Sequence, residues 1–189
     1  MICRSGLKTT WVSLFLICLV APQAWGASYK SSLKRWTREA RDYSSENLEM
    51  KVRWHATYLG ADFLKARRER LASLQEWSSE ERGRQEMQDQ KELREHDSFF
   101  VVIYAGSSAF PEVGKDTGKW RISLESGDKQ ARPVQFETVS VTEVERGLYP
   151  FLDKWSRAYL LRFPKTIQEG KPFVLKMQGV PAKSELAWK

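Results

Sequence analysis

From Leu48 to Tyr58 the chain alternates without interruption: Leu48, Met50, Val52, Trp54, Ala56 and Tyr58 are apolar, and Glu49, Lys51, Arg53, His55 and Thr57 between them are polar or charged. Successive side chains of a strand leave opposite faces, so a period of two predicts a strand with one face on a core. A helix would scatter the same residues around its circumference. Gly60 closes the run. Phe99, Phe100, Val101, Val102, Ile103 and Tyr104 then form a continuous apolar segment rich in aromatic and branched types, which predicts a central strand buried on both faces.

Further extended segments follow. Trp120, Ile122 and Leu124 alternate with Arg121, Ser123 and Glu125, and Ser126, Gly127 and Asp128 supply a turn before a run from Pro133 to Val141, the grammar of a hairpin. Ala158 to Phe163 is stopped by Pro164, Phe173 to Gln178 is entered through Gly170 and Pro172, and Leu186 to Trp188 offers a short closing edge. Ala105 to Gly118 reads as a loop, and Glu143 to Asp153, with Gly147 and Pro150, as an apolar crossing or a short helical turn. Short strands joined mostly by turn-sized connections predict a mainly β (α+β) chain, specifically an immunoglobulin-like antiparallel sandwich of six to seven strands over 45–189. The cysteine pair of true immunoglobulin domains is absent.

Two helical patterns decorate that core. Tyr29, Leu33, Trp36, Ala40 and Tyr43 recur at helical spacing, which predicts a short amphipathic helix over 27–44 with Lys34, Arg35, Arg38 and Arg41 on its opposite side. Those cations form either a solvated face or a basic surface for anionic headgroups. Between the first two strands lies a helical insertion at about 61–96. Phe63, Leu64, Ala66, Leu71, Leu74 and Trp77 share one arc of a helix over 61–77. Ser78 with Glu81 forms a capping box for a second helix reaching Glu95. This second helix has only Met87 and Leu93 as large apolar residues, so it packs little and projects.

Residues 1–26 read as a cleavable secretory signal: Arg4 and Lys8, an apolar run from Trp11 to Ala21, and small residues up to Gly26 before Ala27. The run is about half of the roughly 20 residues that span hydrocarbon as a helix. Both cysteines, Cys3 and Cys18, fall in that segment, so the remaining 163 residues are expected to fold without a disulfide, held by packing alone. Export points to the periplasm or the extracellular space. The formal net charge of +7 falls to +5 without residues 1–26, a mild excess concentrated at the two ends around an acidic middle and unlike the dense basic clustering of a nucleic-acid binder.

Catalytic grammar is sparse. His55 and His96 are the only histidines, and no close ligand pair suggests a metal, so neither metal nor cofactor is expected. His55 reads as an exposed residue on the polar face of the first strand, and His96 as a residue of the last turn of the polar helix. Gly106, Ser107 and Ser108 resemble a nucleophile elbow only in part, lacking the second glycine. Asp116, Glu125, Asp128, Glu143, Glu145 and Asp153 are carboxylates available for glycoside cleavage if paired in space. Tyr149, Trp155 and Tyr159 are candidates for an aromatic ligand-binding patch.

The leading expectation is an exported, non-catalytic periplasmic or envelope protein, a protein-interaction or structural and assembly module. Its partner would be a protein or an envelope component, with peripheral contact to an anionic membrane surface and no nucleic acid. The alternatives are a carbohydrate-binding module using Tyr149, Trp155 and Tyr159, and a hydrolase using loop carboxylates.

Overall fold

The computed structural model describes residues 25–43, 50–105, 120–179 and 183–189. In chain order these residues form α1 (Trp25–Trp36), β1 (Thr37–Tyr43), β2 (Met50–Tyr58), α2 (Ala61–Leu74), α3 (Ser79–Glu95), β3 (His96–Ala105) and β4 (Trp120–Ser126). Then come β5 (Lys129–Ala131), β6 (Gln135–Val139), α4 (Glu143–Leu148), β7 (Arg157–Pro164), β8 (Phe173–Gly179) and β9 (Lys183–Trp188). The fold is β-rich, with every strand pairing antiparallel. One sheet has the order β1-β2-β3-β7-β6 and the other β5-β4-β8-β9.

Alternation along the strands decides what lies between the sheets. Val52, Trp54 and Ala56 of β2, Phe99, Val101 and Ile103 of β3, and Leu161 and Phe163 of β7 point the same way. They share one core with Trp120, Ile122 and Leu124 of β4, Leu175 and Met177 of β8, and Leu186 and Trp188 of β9. Trp188 is the central block: its ring stacks on Phe173 at 5.1 Å and tilts against Phe99 at 5.5 Å, and its Nε1 donates to the Trp36 carbonyl at 2.9 Å. An indole buried with its N–H satisfied retains the full benefit of its apolar area.

The intervening residues of β3 face the other way. Phe100 and Val102, with Ala158 of β7, pack under Tyr29 and Leu33 of α1, Phe63, Ala66 and Leu71 of α2, and Leu148 and Tyr149. β3 is therefore buried on both faces, as its unbroken apolar run predicts. The molecule has three layers: the four-stranded sheet, the five-stranded sheet, and helices on the outer face of the latter. α1 is docked, with Tyr29 and Leu33 buried and the Tyr29 hydroxyl donating to the Leu148 carbonyl at 2.7 Å.

Buried Asp97 fixes the chain after β7 by accepting from Thr166 N at 2.6 Å, Ile167 N at 2.8 Å and Lys165 Nζ at 2.5 Å. Three donors, one of them charged, satisfy a carboxylate that burial alone would destabilise.

Several elements differ from the expectations. The helix predicted over 27–44 ends at Trp36, and Thr37–Tyr43 is a strand whose Ala40 pairs with Trp54. Helical spacing at Ala40 and Tyr43 is overridden because this side of β2 would otherwise present unpaired backbone groups, which β1 satisfies. α2 stops at Leu74, three residues short of the expectation, since Glu76 adopts φ 51° and turns the chain. The terminal edge is a full strand that carries Trp188 into the core. The turn at Ser126–Asp128 joins β4 to the short β5 and not to the run from Pro133, whose β6 lies beside β7 in the other sheet, so the expected hairpin is corrected and, with β1 and β5, the described residues hold nine strands where six to seven were expected. The loop expected at 105–118 lies, beyond Ala105, outside the described residues, as do residues 1–24 of the signal. Ser78 caps α3 as expected, accepting from Glu81 N at 3.2 Å while its own N–H donates to Glu81 Oε2 at 2.7 Å.

Candidate functional site

A groove of about 440 Å³ opens where α1 meets β1, β2 and the turn after α4. Leu33, Pro150 and Phe151 give it an apolar floor, and Lys30, Lys34 and Arg38 line its rim. Lys30 and Lys34 lie one helical turn apart on α1, both exposed, with no ion-pair partner among the described residues. Arg38 is fixed by carbonyls: its Nε donates to Ala187 O at 2.9 Å and its Nη1 to Arg35 O at 2.8 Å and Thr37 O at 2.9 Å.

His55 forms one wall, stacked on Phe151 with ring centroids 4.5 Å apart and planes 14° from parallel. Its side chain is only 12% exposed, so the sequence expectation of an exposed residue is corrected: α1 and the turn after α4 cover the polar face of β2. Burial pushes the imidazole below its ordinary pKa; Glu39, with Oε1 3.7 Å from Nε2, opposes the shift, and Arg53 and Arg41 reinforce it. Glu39 is held below the usual carboxylate range chiefly by its hydrogen bond from Arg41 Nε at 2.5 Å. Asp153 holds the turn that carries Phe151, accepting from Arg53 Nη2 at 2.5 Å, Ser156 Oγ at 2.8 Å and Trp155 N at 2.9 Å. Burial raises the Asp153 carboxyl, but these donors more than offset it and the net shift is downward. The hydroxyl on the groove, Thr37 Oγ1, is already hydrogen-bonded to Thr57 Oγ1 at 2.8 Å. The arrangement suits holding an anion beside an apolar group rather than activating a nucleophile.

The four cations of the predicted basic surface do not share one helix. Lys34 and Arg35 belong to α1, while Arg38 and Arg41 belong to β1. Arg35 lies 3.7 Å from Asp62 and over the Trp36 ring, and Arg41 pairs with Glu39, so Lys34 and Arg38 are the two that reach the groove. Lys30 and Phe151 went unread in the sequence, Lys30 because it preceded the cluster and Phe151 because its apolar neighbours suggested a buried crossing.

The three aromatics proposed as a patch are not brought to one surface. Tyr149 is buried and stacked on Phe100 at 4.0 Å, its hydroxyl pushed up to about 12 by burial. Tyr159 is buried in the core between the sheets against Phe136, and Trp155 alone is exposed, at 64%, under Lys154 Nζ. Loop position misled for Tyr149, whereas for Tyr159 the period of two shared with Leu161 and Phe163 already points into the core.

The candidate carboxylates are engaged locally. Glu125 pairs with Lys176 at 2.6 Å, Asp128 accepts from Gln168 Nε2 at 2.8 Å, Glu143 pairs with Arg146, and Glu145 caps α4 through Thr142. Ser107, Ser108 and Asp116 lie outside the described residues. His96 caps the end of α3, with its backbone N–H on Glu92 O. Among the described residues no group of three or more His, Cys, Asp or Glu could hold a metal ion.

A second surface is α3. Its inner side is tied down by polar contacts: Arg68 to Asp89 at 2.5 Å, Arg162 to Glu92 at 2.8 Å, and Ser98 Oγ to Glu92 at 2.5 Å. Its outer side, with Glu80, Arg84, Met87, Gln90 and Arg94, faces open space, and Met87 is 65% exposed. No described helix is long and apolar enough to cross a membrane.

No family model matches this chain, and no curated protein matches it. Among solved structures, the crystal structure of a novel protein of unknown function from Burkholderia pseudomallei is similar over 87% of this chain and 83% of that one, at 11% identity and a TM-score of 0.46.

Proposed function

We propose that this chain is an exported, non-catalytic module of the periplasm or cell envelope that binds a protein partner through the outer side of α3. The observation that carries the reading is the helix itself. It is anchored along one side by the Arg68–Asp89 and Arg162–Glu92 pairs, yet its opposite side presents Met87 among charged residues with nothing packed on it among the described residues. A helix that is polar nearly all round contributes little to a core, and a lone exposed methionine amid charges is an adaptable contact for another protein.

The scaffold reading that accompanies this is an immunoglobulin-like sandwich. If β2 to β9 are lettered A, B, C, C′, D, E, F and G, the two sheets run A-B-E-D and C′-C-F-G, the strand partition of that architecture. Trp120, buried at the start of strand C, supports it further. In this lettering α2 and α3 are inserted between A and B, and β1 extends the A edge.

A photo-crosslinking residue at position 87 tests the reading in the native host. A discrete protein adduct, absent when the probe stands at position 155, is expected. Absence of an adduct at 87, with the protein recovered from the cytoplasm still carrying residues 1–26, would contradict both the partner and the export.

A further inference from the structure

The groove lined by Phe151 lies on the α1 side of the molecule and is independent of α3 and of the partner proposed above. It combines three features. Its floor of Leu33, Pro150 and Phe151 is apolar; two exposed cations, Lys30 and Lys34, stand one turn apart at its rim; and the carboxylate it contains, Glu39, is already engaged by Arg41. The fixed guanidinium of Arg38 adds a third positive charge. Three cations against one neutralised carboxylate leave the rim unbalanced in favour of an anion, while stacked His55 and Phe151 offer a flat apolar wall behind it.

Size restricts the occupant. A groove of about 440 Å³ falls within the range of small-molecule binding sites. Lysine ammonium groups on flexible stems suit a compact oxyanion, as point charges rather than a planar fork. We infer that this groove binds a single-chain anionic amphiphile as a free monomer, its phosphate or carboxylate head between Lys30 and Lys34 and its chain along Leu33, Pro150 and Phe151. His55, stacked on Phe151, and the turn held by Arg53 and Asp153 fix the side along which the chain lies.

The test is calorimetric titration of the purified protein with dodecyl phosphate below its micelle concentration. Dodecyl maltoside, inorganic phosphate and vesicles of phosphatidylglycerol serve as separate arms. One dodecyl phosphate is expected to bind saturably per chain, and the doubly substituted K30Q/K34Q protein to bind it roughly tenfold more weakly or worse, since charge-assisted contacts to the head are lost. Both lysines are exposed, so this variant keeps the fold, and K129Q/K171Q, which removes the same charge at two exposed lysines away from the groove and from α3, controls for net charge and is expected to bind like the wild type. Failure to saturate, equal affinity for the maltoside or for inorganic phosphate alone, an unchanged K30Q/K34Q protein, or binding to vesicles without binding of the monomer would each overturn the inference. None of these results bears on the crosslink at position 87.

Discussion

His55 shows how far a single side chain departs from what its neighbours in sequence imply. It follows Trp54 on the polar side of a regular alternation, yet Phe151 stacks on it and the groups around it are Glu39, Arg41, Arg53 and Asp153. Because burial holds the folded imidazole below the ordinary value of 6.5, the unfolded chain takes up its proton first as the pH falls. This contribution is therefore fully present above about pH 6.5 and is lost on acidification through the folded pKa, at up to ~1.4 kcal/mol per pH unit. Denaturant unfolding measured between about pH 7 and pH 5 should show this slope in the wild type and a clearly flatter one in His55→Gln. An identical slope in both proteins would mean that another group titrates there. Nothing in the sequence foretold this, because the covering residue lies almost a hundred positions away.

At the scale of elements, the regular patterns translated directly and the exceptions have physical causes. The alternation from Met50 to Tyr58 is β2, the apolar run is β3 at the middle of its sheet, and the Ser78–Glu81 capping box starts α3. β1 was illegible because its seven residues satisfy a helical spacing as well, and only pairing with β2 chooses between the two. Of the groove, Lys34 and Arg38 were legible as cations, but their neighbourhood with Phe151 and His55 depends on how α1 and the turn after α4 meet, which no local pattern encodes. Of the contacts that hold α3, the Arg68–Asp89 pair is the most buried, so Arg68→Ala should leave the Asp89 carboxylate with only the Gln85 amide and cost about 3 kcal/mol. Amide exchange over 79–95 should quicken in that variant, while a double Arg68→Met, Asp89→Leu protein should recover most of the loss. Unchanged protection in Arg68→Ala would show that α3 is held by something other than this pair.

The whole molecule is organised by one strand seen from two sides. β3 sends Phe99, Val101 and Ile103 into the core between the sheets and Phe100 and Val102 under the helices. That three-layer order explains why a chain with no cysteine outside residues 1–26 can be held by packing: two apolar clusters share the same central sheet. The sequence suggested the core between the sheets through period-two phase, and Trp54 and Trp120 are both buried where that phase puts them. It did not suggest the second cluster's size, since Tyr29, Phe63 and Tyr149 come from separate elements whose meeting is purely tertiary. Through-space proton contacts to the adjacent rings of Phe99 and Phe100 in the folded protein test this order most directly. The structure predicts that Phe99 meets Trp188 and Phe173 while Phe100 meets Tyr149 and neither of those two. Contacts from both rings to a common set of partners, or a Trp188 indole without contact to Phe99, would contradict it.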